Sequence, residues 1–225
     1  MVSFCDMSKD EEQEAEARKG MFCYQCGRYT IKRSELKHCT GYFMCGNCGW
    51  QFTKTVPPLF IVTGASGSGK SAIIEPLQHL LTEYGVFDKD QLWARDWDMA
   101  ANDFFRIASA LAQGSKKTVI VGTIIPEHLE GLSDRDLVGE IFYINLHTDD
   151  QTRRTRLLTR RKWSLPEEDF ILNHARFAAQ LLMGAETKFG HPMPIFDTTH
   201  KSSQKVAEQV ADWIKSHGCL NRCVP

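Results

Sequence analysis

At 225 residues, with 42% apolar and 24% charged side chains, the chain has the composition of a packed globular protein, long enough for one medium α/β domain and a small module. A formal net charge of −1 gives no global reason to expect a nucleic-acid or membrane partner. No apolar run approaches the roughly 20 residues of a membrane span, which points to a soluble protein.

Residues 1–20 are acidic and polar and lack the apolar core of a signal peptide, so they read as a solvated tail or a short helix, without chemistry. Residues 21–56 form a cysteine module. Cys23 and Cys26 make one C-x-x-C pair, Cys45 and Cys48 a second, with eighteen residues between the pairs. That is the spacing of a four-thiolate zinc ribbon. Gly27 and Gly49 follow the pairs and let the chain turn until both sulfurs of a pair face one point. Two such knuckles at opposite ends of a hairpin give a tetrahedral site, with Tyr29–Ile31 and Tyr42–Met44 as short strands. Such a closed site implies structural rather than catalytic zinc, and metal binding would supply the folding free energy of so small a module. Arg28, Lys32, Arg33, Lys37 and Lys54 face only Glu35. With Tyr24, Tyr29, Tyr42, Phe43 and Trp50 they allow a single-strand nucleic-acid platform, although the aromatics equally supply a small core. His38, Cys39, Cys5, Cys219 and Cys223 fit no ligand spacing.

Pro57-Pro58 makes a stiff linker into a large domain over residues 57–218. The apolar run Leu59–Val62 leads into Gly64-Ala65-Ser66-Gly67-Ser68-Gly69-Lys70-Ser71 and then a helical pattern to Leu81. Strand, glycine loop and helix in G-x-x-x-x-G-K-S spacing make a phosphate-binding P-loop. Its glycines allow φ > 0, so backbone amides can form an anion nest, and the helix adds the positive end of its dipole. Lys70 is expected on the β- and γ-phosphates of ATP and the Ser71 hydroxyl on Mg²⁺. A nucleotide loop beside paired C-x-x-C motifs implies a reducing, cytoplasmic setting and metal binding rather than disulfides.

The next strand ends in Asp88 and Asp90, where a parallel sheet brings its ligands. One could orient or deprotonate an acceptor hydroxyl and the other hold Mg²⁺ through water; capping of the next helix is the plainer role. Trp93, Arg95 and Trp97 interleave rings with charge, as a planar substrate or an ordinary core would use. Lys117–Ile125 reads as a buried parallel strand, with Gly122-Thr123 where many P-loop enzymes carry a metal-binding aspartate. After the strand Ile141–Leu146, Arg153, Arg156 and Arg160 follow one helix face that lacks acids after Asp150, so at least one is expected to touch phosphate. A helix beginning at Pro166 carries His174 and Arg176, more plausibly at the surface than in the cleft. The strand and turn Pro194–Thr199, which could support an adenine ring, precede a closing helix, Val206–Ile214, and a C-terminal tail over residues 219–225.

Taken in order, the P-loop, Phe87-Asp88-Lys89-Asp90, Val121–Pro126, the arginine segment 153–161 and Phe196–Thr199 resemble the P-loop small-molecule kinases. That group comprises the nucleoside and nucleotide kinases, with gluconate, shikimate and chloramphenicol kinases as relatives. The resemblance spans residues 59–217. It implies a three-layer α/β fold with a five-stranded parallel sheet in the order 2-3-1-4-5, and a mobile lid around residues 153–163. It also implies transfer of the ATP γ-phosphoryl to a hydroxyl or phosphate, with Asp88 near the acceptor. The chain departs from the group in its N-terminal ribbon and in the glycine at position 122. The expected protein is therefore an ATP-, Mg²⁺- and Zn²⁺-containing kinase of a nucleoside, nucleotide or other small hydroxylated molecule. The alternatives are a polynucleotide 5′-hydroxyl kinase that grips its strand with the ribbon, and a nucleotide-gated interaction module.

Overall fold

A computed structural model describes residues 21–37, 40–91, 97–159, 168–185 and 193–218. The tails therefore lie outside the described residues, as do His38, Cys39, Trp93, Arg95, Arg160 and the expected lid from 160 to 163.

The N-terminal module is a four-stranded antiparallel sheet in the order β1-β2-β3-β4: Met21–Phe22, Tyr29–Lys37, Thr40–Cys45 and Gln51–Thr55. Its two central strands are longer than the sequence suggests, and β4 is an element the sequence reading did not distinguish. Both knuckles meet at the open end of the β2–β3 hairpin, where Ile31 pairs with Cys45. They are built alike. Gly27 and Gly49 hold φ +71° and +72°, and their amides donate to Cys23 O and Cys45 O. Ile31, Phe43 and Val56 are buried with Cys23 and Cys45. Phe52 stacks between Phe43 and Trp50, with ring centroids 5.1 and 4.7 Å away.

The large domain is built on β5 (Leu59–Thr63), the central strand of a five-stranded parallel sheet ordered β6-β7-β5-β8-β9. All of β5 is buried, as its unbroken apolar sequence requires of a strand covered on both faces. The others are β6 (Tyr84–Asp88), β7 (Lys117–Val121), β8 (Ile141–His147) and β9 (Ile195–Asp197). The strand β7 stops at Val121, before the expected Ile125, because the chain leaves the sheet at Gly122. One face is covered by α1 (Ile74–Leu80) and α5 (Ser203–His217), whose Leu77, Val206, Val210 and Ile214 pack on Phe60 and Val62. The other face carries α2 (Trp97–Gln113), whose Phe104 and Phe105 pack on Leu59, Ile61 and Ile120. Full burial of each of these rings is worth about 1.5–3 kcal/mol. The remaining helices, α3 (Asp150–Leu158) and α4 (Glu168–Gly184), lie against each other beyond β8. Among the described residues no helix is long and apolar enough to cross a membrane.

The module sits on the large domain through its own cations. Arg33, nearly buried, donates from its backbone to Asp136 Oδ2 at 3.2 Å and from Nη1 to the carbonyls of Asp136 and Val138. Lys54 Nζ donates to Ser109 Oγ on α2 at 3.1 Å. Two of the five cations counted toward a nucleic-acid platform are thus bound to the protein itself, Lys37 pairs with Glu35, and Phe43 lies in the core. Tyr24 and Tyr29 remain exposed, clustered around Phe22.

Candidate active site

The loop 64–69 connects β5 to a 3₁₀ turn, Lys70–Ile73, which precedes the seven residues of α1. The expected regular helix is therefore shortened at its start. Glycine is required at two points. A Cβ on Gly64 would stand 2.5 Å from Leu146 O, and one on Gly67 3.0 Å from Arg153 Cγ, both at positive φ.

The loop carbonyls are held from several sides. Lys70 Nζ donates to Gly64 O and Ala65 O at 2.7 and 2.9 Å, and the Thr123 hydroxyl donates to Gly64 O at 3.1 Å. Arg156 Nη1 donates to Gly67 O at 3.2 Å, and the Thr198 hydroxyl donates to Ser68 O at 2.9 Å. Arg156 also reaches Thr198 O, at 2.7 Å, which ties α3, the turn after β9 and the loop into one frame. Two loop amides are also engaged: Ser66 N–H donates to His174 Nδ1 and Ser68 N–H to Ala65 O. Nothing in the sequence pattern pointed to Thr123 or Thr198 as braces.

One cleft of about 290 Å³ is lined by Ser66, Gly67, Gly69, Lys70 and Ser71 on the loop side. Asp88, Asp90, Gly122, Thr123 and Arg156 line the same cleft. Asp88 Oδ1 accepts the Asp90 amide at 3.0 Å, so the strand end turns back on itself and holds both carboxylates at the cleft. Of the expected residues, Lys70, Ser71, Asp88, Asp90 and Arg156 therefore come together. The side chain of Trp97 lies outside the described residues.

Arg153 has a different place from the one expected. It is 1% exposed and does not line the cleft. Its guanidinium donates to Thr148 O and to Asp150 at the start of its own helix, while its stem packs under Gly67. It supports the loop from beneath. His174 lies nearer the loop than a surface position implies: Ser66 N–H donates to its Nδ1 at 3.4 Å, and the Phe170 ring stands edge-on at 4.4 Å.

Lys89 is a residue the sequence reading passed over. It is 8% exposed, and its stem crosses Gly122, where a Cβ would meet Lys89 Cβ at 2.4 Å. Burial pulls its pKa below the usual lysine range, opposed by the neighbouring Asp90 and Asp88 carboxylates. Lys89 thereby explains the glycine: at 122 there is no room for any side chain, let alone a metal-binding carboxylate.

In the N-terminal module the sulfurs of Cys23, Cys26, Cys45 and Cys48 lie within 4.8 Å of one another. Cys23 to Cys48 and Cys26 to Cys45 are each 3.7 Å. Tetrahedral thiolates about 2.3 Å from a zinc ion stand about 3.8 Å apart, so the quartet fits that ion. The Thr30 hydroxyl, 3.1 Å from the sulfur, and the Cys48 backbone lower the Cys45 thiol to about 6. This favours the thiolate at Cys45; at Cys48 the Trp50 backbone acts in the same direction but is outweighed by burial and the neighbouring sulfurs, which raise that thiol to about 12.

No known family model matches the sequence, and no curated protein matches it. Solved structures do match. A sugar kinase from Janibacter sp. HTCC2649, determined without ligand, is 11% identical over 71% of this chain and 95% of its own, with a TM-score of 0.53. A provisionally assigned kinase from Chloroflexus aurantiacus j-10-fl is 20% identical over 72% of this chain and 99% of its own, with a TM-score of 0.52. At these identities the likeness shows the fold. The large domain shares the α/β fold of these two structures.

Proposed function

We propose that this chain is an ATP- and Mg²⁺-dependent phosphotransferase that moves the γ-phosphoryl group to the hydroxyl of a small acceptor such as a nucleoside or nucleotide. One observation carries the reading: the P-loop and the carboxylate-bearing Asp88 and Asp90 line a single cleft. A switch module can use one carboxylate for Mg²⁺ but needs no second one for an acceptor.

The loop amides and Lys70 hold the β- and γ-phosphates, which requires Lys70 to exchange its carbonyl partners for phosphate oxygens. The hard oxygens of Ser71, Asp88 and Asp90 line the same cleft and suit Mg²⁺. When bound, that ion offsets charge on the β- and γ-phosphates. Asp88 orients the acceptor hydroxyl and takes its proton as the oxygen bonds to the γ-phosphorus and the bond to the β-phosphate oxygen breaks. Arg156, in the same cleft, stabilises the charge on the transferring group. Arg160 and the Trp93–Trp97 segment remain candidates for the lid and the acceptor pocket. The four cysteines hold a structural zinc, and the module is a buttress of the large domain. Its engaged cations argue against a nucleic-acid grip.

The test is ADP release from MgATP across a panel of nucleosides, nucleotides, sugars and a 5′-hydroxyl oligonucleotide. Acceptor-dependent release is expected, falling by on the order of 10²–10³-fold in Lys70→Ala. Undiminished turnover in that variant would reject the assignment.

A further inference from the structure

The Ala65–Ser66 peptide of the loop is gripped on both edges. Its carbonyl, Ala65 O, accepts from Lys70 Nζ at 2.9 Å and from Ser68 N–H at 3.2 Å. Its N–H, on Ser66, donates to His174 Nδ1 on α4. Gly67, the next residue, is braced from α3: Arg156 donates to its carbonyl, and the Arg153 stem lies under it. The two helices lie against each other, with Arg154 of α3 paired to Glu168 at the start of α4. His174 is half-buried, and the Phe170 ring, one turn earlier on α4, stands edge-on to it. Helix and ring together fix where Nδ1 stands. An acceptor at Nδ1 requires the imidazole hydrogen on Nε2.

We infer that His174 is a positioning residue of the phosphate loop: from α4 its Nδ1 holds the Ala65–Ser66 peptide, so that Lys70 can leave the loop carbonyls for phosphate while the loop keeps its shape. This rests on the phosphotransferase reading, in which Lys70 makes that exchange, and adds a residue to it. When Lys70 Nζ turns to phosphate, Gly64 O keeps the Thr123 hydroxyl and Ala65 O keeps Ser68 N–H, a donor from within the loop. Among the described residues, His174 is then the group that holds the Ala65–Ser66 peptide from outside the loop. Ser66 lines the cleft and His174 does not, so His174 acts on a bound phosphate through the loop rather than by contact. One hydrogen bond contributes modestly, which sets the size of the expected effect at about two- to tenfold in nucleotide affinity.

The experiment compares the full chain with His174→Phe and His174→Asn. Phenylalanine keeps a ring against Phe170 and removes the acceptor. Asparagine carries Oδ1 on Cγ, as histidine carries Nδ1, and restores it. Calorimetry with MgADP gives Kd, and urea unfolding gives the stability of each form. His174→Phe should raise the MgADP Kd by about two- to tenfold, and His174→Asn should stay within about twofold of the parent. A role in packing alone predicts the opposite order, because asparagine lacks the ring, and its losses follow the urea midpoint. Equal Kd in the parent and His174→Phe overturns the inference, as does an equal or larger loss in His174→Asn. ADP release from MgATP across the same acceptor panel separates this from the reading it rests on. If Kd follows the expected order and no form transfers phosphate, the phosphotransferase reading fails and the positioning role stands; transfer with equal Kd values defeats the inference alone.

Discussion

Gly122 and Lys89 show how one residue's chemistry is decided by another's bulk. A side chain at 122 collides with the Lys89 stem, so no metal-binding carboxylate fits at that strand end, and on the proposed function Mg²⁺ is left to other oxygens of the cleft. Gly122→Ala should cost about 1–3 kcal/mol by overpacking, read as a lower urea midpoint; an unchanged midpoint would mean that Lys89 moves aside freely. That 122 carries no aspartate was legible in the sequence; the part played by Lys89 was not, because it depends on the register that sets Asp88 beside Val121. The P-loop was legible because its residues are contiguous and its spacing is itself the mechanism. Arg153 and Arg156 were not separable: helical spacing puts both on one face, and only the structure shows Arg153 folded back to Thr148 and Asp150 while Arg156 reaches the cleft.

At the scale of the element, α3 braces the loop through Arg156, and its start is fixed by Asp149. That carboxylate accepts the Thr152 amide and hydroxyl, both at 2.8 Å. The amide first and then the hydroxyl hold its pKa down, from the ordinary 3.8 to about 2. The unfolded chain therefore binds this proton more tightly than the folded one. The stabilisation is complete above the ordinary value and is lost as pH falls from about 4 to about 2. Asp149→Asn should flatten that part of the acid-unfolding curve and leave neutral pH largely unaffected, since asparagine also caps helices. An acid limb identical to the parent's would remove Asp149 from the account. The strand and helix types of the large domain followed from apolar runs and 3.6-residue periodicity. The 3₁₀ start of α1 did not, since it arises where the loop's last glycine hands over to Lys70 rather than from any pattern in the helix.

For the whole molecule, the cysteine spacing made the module legible, but its seating was not. Arg33 finds Asp136 and Val138 from across more than a hundred residues of chain, and a basic side chain in sequence reads equally as solvated, nucleic-acid-binding or docked. Zinc at the quartet should appear as one ion per chain in native mass spectrometry. It should be lost in Cys23→Ser together with thermal stability; a metal-free parent of equal stability would contradict the structural role. The central claim is that the cleft transfers a phosphoryl group rather than sensing or hydrolysing a nucleotide. The measurement that tests it most directly follows the label of γ-³²P-ATP in the presence of an acceptor from the panel. The account predicts label in a new phosphate ester on the acceptor, dependent on Lys70 and Asp88. Label that stays in bound ATP, or appears only as inorganic phosphate whatever the acceptor, would contradict it.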